Sequence, residues 1–304
     1  MTADEAQGDD ASPVLVMLAG GMAKRYGGCK PLAPVGLHGE AVIDLNASDA
    51  LAAGFAEVVV VVGPQTGPAI RYHVEQVWPG WATVHLAEQP VPLGTAHAAL
   101  CAHRHVGDRP FAVVNADDVY GVPALGELVA GLRAGDHALV SYQLADTIVT
   151  DDPVTRGTLR ASEDGWLTGI DERRLVTRHG DGHYRSGDGR LPEELDAGTP
   201  VSMNLWGFQP TMWAVLEEAV LAVHPTVGRH GAVAEDGRNS EAEVLLPEVV
   251  SDAVAEQGLR VRVVAGEGRC IGVTHADDLP VVRGELAVMV GEGLRAAGPW
   301  RRAG

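Results

Sequence analysis

The only two lysines of the chain, Lys24 and Lys30, lie in one glycine-rich stretch, LAGGMAKRYGGCKPLAPVG. A glycine-rich loop between a strand and a helix presents several backbone N–H groups towards one point, and such a point binds phosphate. Lys24, Arg25 and Lys30 would add cations to this loop. A compact ammonium group suits a phosphate whose geometry changes during a reaction, whereas a guanidinium makes fixed, forked contacts. The stretch therefore predicts a local site for a phosphate chain.

The glycine spacing matches neither of two common nucleotide-binding loops. The Walker A pattern, Gly and four residues followed by Gly-Lys-Ser/Thr, is absent from the sequence. The stretch also departs from the alternating glycines of the dinucleotide fingerprint.

Three aspartates, Asp117, Asp277 and Asp278, are candidate metal ligands. Asp117 follows the apolar run FAVVN, which predicts a strand, and open α/β sheets bind ligands at the carboxyl ends of their strands. A carboxylate there could hold Mg²⁺, or it could cap the next helix, a role that Asp118 fits better. Asp277 and Asp278 precede a predicted helix in the run HADD, so they could complete the metal site or form an N-cap.

The first half of the chain alternates short apolar runs with helical stretches from Pro13 onwards. This alternation predicts a parallel sheet covered by helices on both faces. The run EVVVVVG predicts a buried strand because its residues are β-branched, and VIDLNASDALAAG predicts a helix that ends at Gly54. Further strands are predicted at PVLVMLA, ATVHLA, PFAVVNADD and HALVSYQLA, and further helices at GTAHAALCAHRHV and PALGELVAGLRAG.

The pattern changes after Asp146. The run RGTLRASEDGWLTGIDERR predicts a β-hairpin around its Glu-Asp-Gly turn, and residues 177–200, which lack periodicity, are expected to form a mobile loop. A strand at VSMNLWGFQ and several helices follow. We therefore divide the chain into a disordered tail at 1–12, a first lobe at 13–146 and a second lobe at 147–304, with both lobes in one integrated domain.

The stretch LAGGMAKRYGGCKPLAPV resembles the N-terminal signature of the sugar-1-phosphate nucleotidyltransferase superfamily, the NDP-sugar pyrophosphorylases. It is especially similar to a subset with the pattern LAxGMxxRYGGxK. The resemblance covers roughly residues 14–283. A collinear set of motifs is more specific than any single one. The other segments that resemble the family, in the family's order, are AEQPVPLGTAHAA, VVNADDVYG, GWLTGIDER, VSMNLWGF and IGVTHADDLP.

The resemblance implies a Rossmann-like, three-layer α/β/α fold of the GT-A type, with a mixed, mostly parallel central sheet and a β-rich sugar-binding lobe. It also implies that an oxygen of a sugar 1-phosphate attacks the α-phosphorus of an NTP and expels pyrophosphate, with Mg²⁺ as cofactor. Two anions must then meet. At 4 Å one unit-charge pair costs about 4 kcal/mol at an effective dielectric constant of 20, so the site needs a metal and fixed cations.

The resemblance assigns nucleotide contacts to the first lobe. Arg25 is expected on the β- and γ-phosphates and Lys30 on the α-phosphate, whereas Lys24 is expected to face solvent because the family's residue there varies. Gln89 would read the base edge, and because a carboxamide donates and accepts, it favours an imide base, hence UTP or dTTP. The other expected nucleotide-binding residues are Leu18, Ala19, Gly20, Gly21, Gly94 and Thr95.

The second lobe is expected to bind the sugar and to complete the metal site. Gly157, Glu172 and Asn204 resemble sugar contacts, and Arg173 resembles a residue that holds the sugar phosphate. The resemblance also makes Asp117 and Asp277 the expected metal ligands. The acceptor could equally be a cyclitol phosphate, since a pocket that reads hydroxyl groups does not require a ring oxygen.

Two departures from the family pattern leave alternatives open. Ala23 stands where the family has its last loop glycine, and Thr274 falls near the position of a second Asp or Asn metal ligand. The alternatives are a nucleotidyltransferase acting on a non-sugar phosphate and a non-catalytic sensor of sugar nucleotides. A Rossmann dehydrogenase is a weaker alternative, and failure to bind a nicotinamide cofactor would exclude it.

The composition restricts the class of partner. A formal net charge of −18 argues against nucleic acid and anionic membranes, because both carry phosphates that such a surface repels. Three widely spaced cysteines and an acidic start without a signal-peptide pattern predict a cytoplasmic protein, and the oligomeric state, including a homo-oligomer, stays open. His97, His103 and His105 are not expected to converge on a metal.

Overall fold

The computed structural model describes residues 12–21, 26–180, 182–233, 242–273 and 275–300. Residues 1–11 of the predicted tail, Lys24, Arg25 and Thr274 lie outside these ranges. The described ranges contain thirteen strands. The strands are β1 (Val14–Ala19), β2 (Glu57–Val62), β3 (Val84–Glu88), β4 (Phe111–Asn115), β5 (Asp118–Val119), β6 (His137–Gln143), β7 (Val154–Ala161), β8 (Leu167–Arg178), β9 (Tyr184–Ser186), β10 (Glu194–Leu195), β11 (Pro200–Phe208), β12 (Val261–Ala265) and β13 (Ile271–Gly272).

Eight α-helices, counted over the same ranges, connect and cover the strands. The first follows the prediction closely, since it ends where Gly54 adopts a left-handed conformation with φ 106°. The helices are α1 (Val42–Ala53), α2 (Gly67–Val77), α3 (Thr95–Cys101), α4 (His103–Val106), α5 (Val122–Arg133), α6 (Met212–Val223), α7 (Leu246–Glu256) and α8 (Leu279–Gly291).

Eleven of these strands form one mixed sheet. One end of this sheet, in the order β3-β2-β1-β4, is parallel, and β11 joins β4 in the antiparallel direction. Strands of both predicted lobes belong to this sheet, because β11 also pairs with β7, and β8, β9 and β10 follow in order. The predicted α/β class with a mixed central sheet is confirmed.

Helices cover both faces of the parallel strands, as continuous apolar strands require. On β1, Leu15 and Met17 pack into a core that includes residues of α1 and α5, whereas Val14 and Val16 pack into a second core with residues of α3, α6 and α7. Both faces of β1 are therefore buried. This burial holds the strand's carboxyl end, at Ala19, in a fixed place.

Strand β11 divides the sheet. One edge of β11 pairs with β6, while the other edge pairs with β4 through Trp206–Phe208 and with β7 through Val201 and Ser202. The register shifts between Ser202 and Trp206, and Asn204 within the shift has a positive φ of 58°. The sheet consequently opens into a fork between the end of β4 and the start of the antiparallel extension.

The expectation of a mobile loop at residues 177–200 is wrong in part. The segment contains β9 and β10, which extend the antiparallel sheet from β8. Tyr184, Ser186 and Leu195 are buried, and the Ser186 hydroxyl donates to the carbonyl oxygen of Arg174. Pairing with a preceding strand, which local periodicity does not reveal, orders this part of the segment.

None of the helices in the described ranges is long and apolar enough to span a bilayer.

Two glycine substitutions test how closely α5 packs on the sheet. A Cβ on Gly207 of β11 would approach Leu128 Cδ1 of α5 to 2.7 Å, whereas a Cβ on Gly126, within α5, meets no described atom inside 4 Å. We expect Gly207→Ala to lower the free energy of unfolding by about 1–3 kcal/mol through overpacking. Gly126→Ala should raise it by about 0.5–1 kcal/mol because alanine favours the helix. Urea denaturation measures both, and equal effects would contradict the assigned packing.

Candidate active site

The structure brings Lys30 against Asp117. Lys30 begins a short 3₁₀ turn after the glycine-rich loop, and Asp117 follows β4 at the carboxyl edge of the sheet. The Lys30 ammonium donates to Asp117 Oδ2 over 2.6 Å, and the two side chains are 17% and 34% exposed. An ammonium group and a carboxylate that could bind a metal are thus in contact in a partly buried place. Their charges are screened less there than at an open surface.

Asp118 is part of the same acidic group rather than a helix cap, so its expected role is wrong. Helix α5 has Gly121 at its N-cap and no side-chain cap. Asp118 instead lies in β5, and its Oδ2 accepts from Asn115 Nδ2 over 3.1 Å. Burial, reinforced by the neighbouring Asp117 charge, raises the pKa of Asp118 to about 6. Two adjacent carboxylates form a site of concentrated negative charge that a cation would stabilise.

The late segment of the chain reaches this acidic site. Strand β13 pairs with β5, which sets Gly272 opposite Asp118, and the Val273 amide donates to the carbonyl oxygen of Asp117 over 3.2 Å. Thr274, the next residue, lies outside the described ranges.

Asp277, the predicted second metal ligand, is exposed, whereas Asp117 is partly buried. Asp277 is exposed on a 3₁₀ turn, whereas Asp278 is buried, and its Oδ2 accepts from the amide of the N-cap residue His275 over 2.6 Å in a capping box. Within the described residues no group of three His, Cys, Asp or Glu side chains converges on a metal-binding point. A metal at Asp117 would therefore complete its coordination with oxygens from outside these side chains, as Mg²⁺ does with substrate phosphates and water.

A cavity of about 550 Å³ lies beside the carboxyl ends of β2 and β3, and we call it the edge cavity. Gly63 and Gln89 line it. Gly20, which directly follows β1, faces the same carboxamide, since a Cβ on Gly20 would approach Gln89 Oε1 to 2.9 Å. The expected contacts Leu18 and Ala19 end β1, and Gly21 follows Gly20.

Gly94 and Thr95, which are expected nucleotide contacts, do not line the edge cavity themselves. Gly94 is bonded to Gln89, which does line it, and Thr95 follows Gly94 in the chain. The Gln89 amide nitrogen donates to the carbonyl oxygen of Gly94 over 3.0 Å. Gly94 has a φ of 103°, and a side chain there would collide with the backbone of Val244. Thr95 begins α3, and its hydroxyl accepts from the Leu246 amide over 2.8 Å. Glycine is required at position 94 because of both the dihedral angle and the close approach.

Sequence reasoning overlooked Thr66, which is buried. Its hydroxyl donates to the carbonyl oxygen of Ala19 over 2.8 Å and accepts from the Gly63 amide over 3.1 Å. This side chain joins the carboxyl ends of β1 and β2 and so positions the loop that begins at Gly20. The run GPQTG offered only a turn signal.

A second cavity, of about 520 Å³, opens at the fork of the sheet, and we call it the fork cavity. It brings together three predicted sugar contacts, Gly157 of β7, Glu172 of β8 and Asn204 of β11. Gly157 and Glu172 are register partners, so they occupy the same part of the β7–β8 pair. Asp118 also lines this cavity, and α7 contributes Glu248, Ser251 and Asp252.

Arg173 does not line the fork cavity. It is 4% exposed and forms an ion pair with Asp188 over 3.1 Å, and it donates to the carbonyl oxygens of Arg190 and Pro192. The Arg173 hydrogen bond lowers the pKa of Asp188 far below its usual range. Strand alternation places Arg174, beside Glu172, at the fork cavity, and Arg190 also lines it.

Comparison with known proteins identifies the family. A family model described as a MobA-like NTP transferase domain matches residues 15–187, which is more than half of the chain. The chain belongs to this family. The matched residues include both sides of the Lys30–Asp117 pair and the β7–β8 hairpin of the fork cavity.

Curated relatives include sugar-phosphate enzymes. A glucose-1-phosphate thymidylyltransferase of Streptomyces antibioticus is 30% identical over 40% of this chain and 33% of its own. A protein of the same description from Mycolicibacterium smegmatis is 26% identical over 52% of this chain and 54% of its own. A UTP–glucose-1-phosphate uridylyltransferase of Bacillus subtilis is 46% identical over 16% of this chain and 17% of its own. The chain thus matches about half or less of the length of each of these relatives.

A solved structure shares the fold. The inositol-1-phosphate CTP transferase of T. maritima superposes with a TM-score of 0.61 over 94% of this chain and 99% of its own, at 13% identity. This likeness extends over both predicted lobes and supports the Rossmann-like nucleotidyltransferase fold. The expected superfamily is confirmed at the level of an NTP transferase domain.

Thr66 variants test whether its hydroxyl positions the Gly20 loop. Thr66→Val keeps the shape but leaves the Gly63 amide and the Ala19 carbonyl group without their partner, so we expect a loss of about 1–3 kcal/mol in the free energy of unfolding and weaker nucleotide binding. Thr66→Ser keeps the hydroxyl and should stay close to wild type in both. Urea denaturation and calorimetric titration with NTPs measure these effects. Equal behaviour of the two variants would rule out the hydroxyl's role.

Proposed function

We propose that this chain transfers a nucleoside monophosphate from an NTP, UTP or dTTP, to a sugar 1-phosphate or a sugar-like cyclitol phosphate, with release of pyrophosphate. The observation that carries the proposal is the contact of Lys30 with Asp117 between two cavities along the sheet edge. The edge cavity adjoins the ends of β1, β2 and β3, Asp117 follows β4, and the fork cavity lies beyond. This is the order in which a base, its phosphates and an acceptor would lie.

Charge neutralisation is the chemical task of the residues between the cavities. Lys30 would contact the α-phosphate, where negative charge grows as the acceptor oxygen attacks and pyrophosphate leaves. Arg25, for which the proposal rests on the sequence motif, would contact the leaving β- and γ-phosphates. Asp117, adjoined by Asp118, would hold Mg²⁺, which when bound neutralises phosphate charge.

The orientation of the Gln89 carboxamide supports an imide base. The Gly94 carbonyl group can only accept, so the nitrogen of the amide must face it, and the Gln89 oxygen is turned towards Gly20. A carbonyl oxygen at a base edge accepts from a donor. Uracil and thymine offer an N3–H donor there, whereas the cytosine ring nitrogen at that position is an acceptor. The arrangement therefore favours UTP or dTTP over CTP.

The fork cavity would read the hydroxyl groups of the acceptor. Glu172 supplies a carboxylate that can accept from two hydroxyls, and Asn204 supplies an amide whose oxygen accepts from the Trp206 indole over 3.3 Å, which leaves its nitrogen to donate. Asp118 adds a second carboxylate. None of these groups requires a ring oxygen, so sugar and cyclitol phosphates are both within the proposed substrate class.

Lysine substitutions test the assigned chemistry. Pyrophosphate release is measured with UTP, dTTP and CTP against a panel of hexose and cyclitol 1-phosphates, with Mg²⁺ and with EDTA. We expect turnover with an imide nucleotide that depends on Mg²⁺, and Lys30→Met should lower kcat about 100-fold or more because it removes a fixed cation from the transition state.

Lys24→Met is the matched control, since Lys24 is the other lysine of the same stretch and is expected from the sequence to face solvent. It should retain turnover within about twofold. Near-normal turnover of Lys30→Met would contradict the mechanism, and a wild-type preference for CTP would contradict the base assignment. Nucleotide binding without pyrophosphate release from any pair would instead favour a sensor.

Arg190 is proposed to take over the contact with the acceptor phosphate that the sequence assigned to Arg173. Arg173 holds the carbonyl group of Arg190, and the exposed Arg190 side chain reaches the fork cavity. We expect Arg190→Gln to raise the KM of the acceptor about tenfold because a charged hydrogen bond is lost, with the KM of the NTP unchanged. Arg160→Gln, which alters an exposed arginine paired with Asp171, is the control. Equal effects on the two KM values would contradict the assignment.

A further inference from the structure

Behind the edge cavity, three groups form a continuous hydrogen-bond chain. The Gln89 amide nitrogen lies 3.2 Å from His97 Nδ1, and His97 Nε2 lies 3.0 Å from the carbonyl oxygen of Gly231. His97 is on α3 and is fully buried, and Gly231 ends a 3₁₀ turn 134 residues further along the sequence. The chain thus connects the carboxamide that lines the edge cavity to a distant segment.

The carbonyl group at one end of the chain determines the position of the proton on the imidazole. The Gly231 oxygen can only accept, so Nε2 carries a hydrogen and donates to it. Burial is the main cause that lowers the pKa of His97, while the carbonyl groups of Gly231 and Val91 act in the opposite direction and His224 adds to the lowering. The neutral ring then has an unprotonated Nδ1, which accepts from Gln89.

Both amide hydrogens of Gln89 are consequently used inside the protein. One is donated to the Gly94 carbonyl oxygen and the other to His97 Nδ1. The carboxamide oxygen, on the opposite side, is the group left for the edge cavity, and it faces the backbone at Gly20. A rotation of the amide by half a turn would set the oxygen against two acceptors, which is unfavourable.

Close packing holds the third member of the chain. Gly231 has a φ of 73°, and a Cβ there would approach Cys101 Sγ to 2.7 Å and His97 Nε2 to 3.3 Å. Only glycine brings its carbonyl group this near to α3 without strain. A neighbouring contact joins His103, at the start of α4, to His230 of the same 3₁₀ turn, with their Nδ1 atoms 3.0 Å apart.

We propose that His97 is a positioning residue that sets the base preference of the enzyme by holding the Gln89 carboxamide with its oxygen towards the nucleotide. His97 does not line the edge cavity, so its effect on the nucleotide would pass through Gln89. The inference rests on the proposed function, because it assumes that Gln89 reads the base. The inference adds that His97 makes the recognition of the base by Gln89 selective for an imide.

Two isosteric substitutions separate the two bonds of His97. Asparagine can place an oxygen near the position of Nδ1, so His97→Asn keeps an acceptor for Gln89 and loses the bond to Gly231. Glutamine reaches the position of Nε2, so His97→Gln keeps a donor for Gly231 and loses the acceptor. His105→Asn, a histidine substitution on α4 with no contact to Gln89, is the control.

The readout is the ratio of kcat/KM for the better imide nucleotide to kcat/KM for CTP. We expect this ratio to fall about tenfold in His97→Gln, mainly through KM of the imide nucleotide, and to stay within about twofold of wild type in His97→Asn and His105→Asn. An equal fall of kcat/KM for both nucleotides in His97→Gln would show a merely structural role and overturn the inference. A retained ratio would overturn it too.

A second measurement does not depend on turnover. Nitrogen-15 NMR of the wild-type chain labelled at histidine distinguishes a protonated Nε2 from a protonated Nδ1. We expect the His97 signal, assigned by its loss in His97→Asn, to report the Nε2–H form at neutral pH. The Nδ1–H form would overturn the inference even in an active enzyme. Wild-type protein without turnover on any pair, but with the Nε2–H form, would overturn the proposed function and leave the hydrogen-bond chain intact.

Discussion

The approach of Lys30 to Asp117 is the interaction around which the candidate site is built. The chain carries a formal net charge of −18, so its long-range field repels phosphates, and any phosphate must be attracted by a cation held at short range. Lys30 is only 17% exposed, which reduces the screening of its charge by water and ions. Asp117 in turn lies beside Asp118, whose pKa is raised mainly by burial and further by the Asp117 charge. A site with both signs of charge at one point can accept an anion and a cation together.

The sheet determines what lies on either side of this pair. The parallel strands β1, β2 and β3 end beside the edge cavity, and the irregular pairing of β11 opens the fork cavity. Asn204 owes its place at the fork to the register shift and to its left-handed backbone conformation.

Several buried side chains hold residues of the candidate site in place without lining either cavity. Thr66 ties β1 to β2, His97 fixes the amide of Gln89, and Arg173 fixes the backbone of Arg190. Each of them is buried and satisfies groups that would otherwise be left without partners. Their common feature is a bond between a side chain and a carbonyl group distant in sequence, and such bonds make a polar site rigid.

The sequence by itself determined the class of fold and the order of its parts. Apolar runs with β-branched residues predicted the parallel strands, Gly54 marked the end of α1, and the Glu-Asp-Gly turn marked the β7–β8 hairpin. These features are local, so they can be read from neighbouring residues: apolar residues repeat every two positions in a half-buried strand and about every 3.6 positions in a helix. The collinear motifs also named Lys30 and Asp117, which the structure brings into contact across 87 residues.

Tertiary structure decided the features that depend on a partner distant in the sequence. Strands β9 and β10 form because β8 offers an edge, which no local pattern within residues 177–200 records. Asp118 faces the fork cavity because β13 pairs with β5, and Arg173 turns away because Asp188 lies within reach of its guanidinium. A sequence specifies which groups can donate, accept or carry charge. Which partner each group meets is decided only when folding buries the two groups together, because a buried polar group needs a partner in place of water.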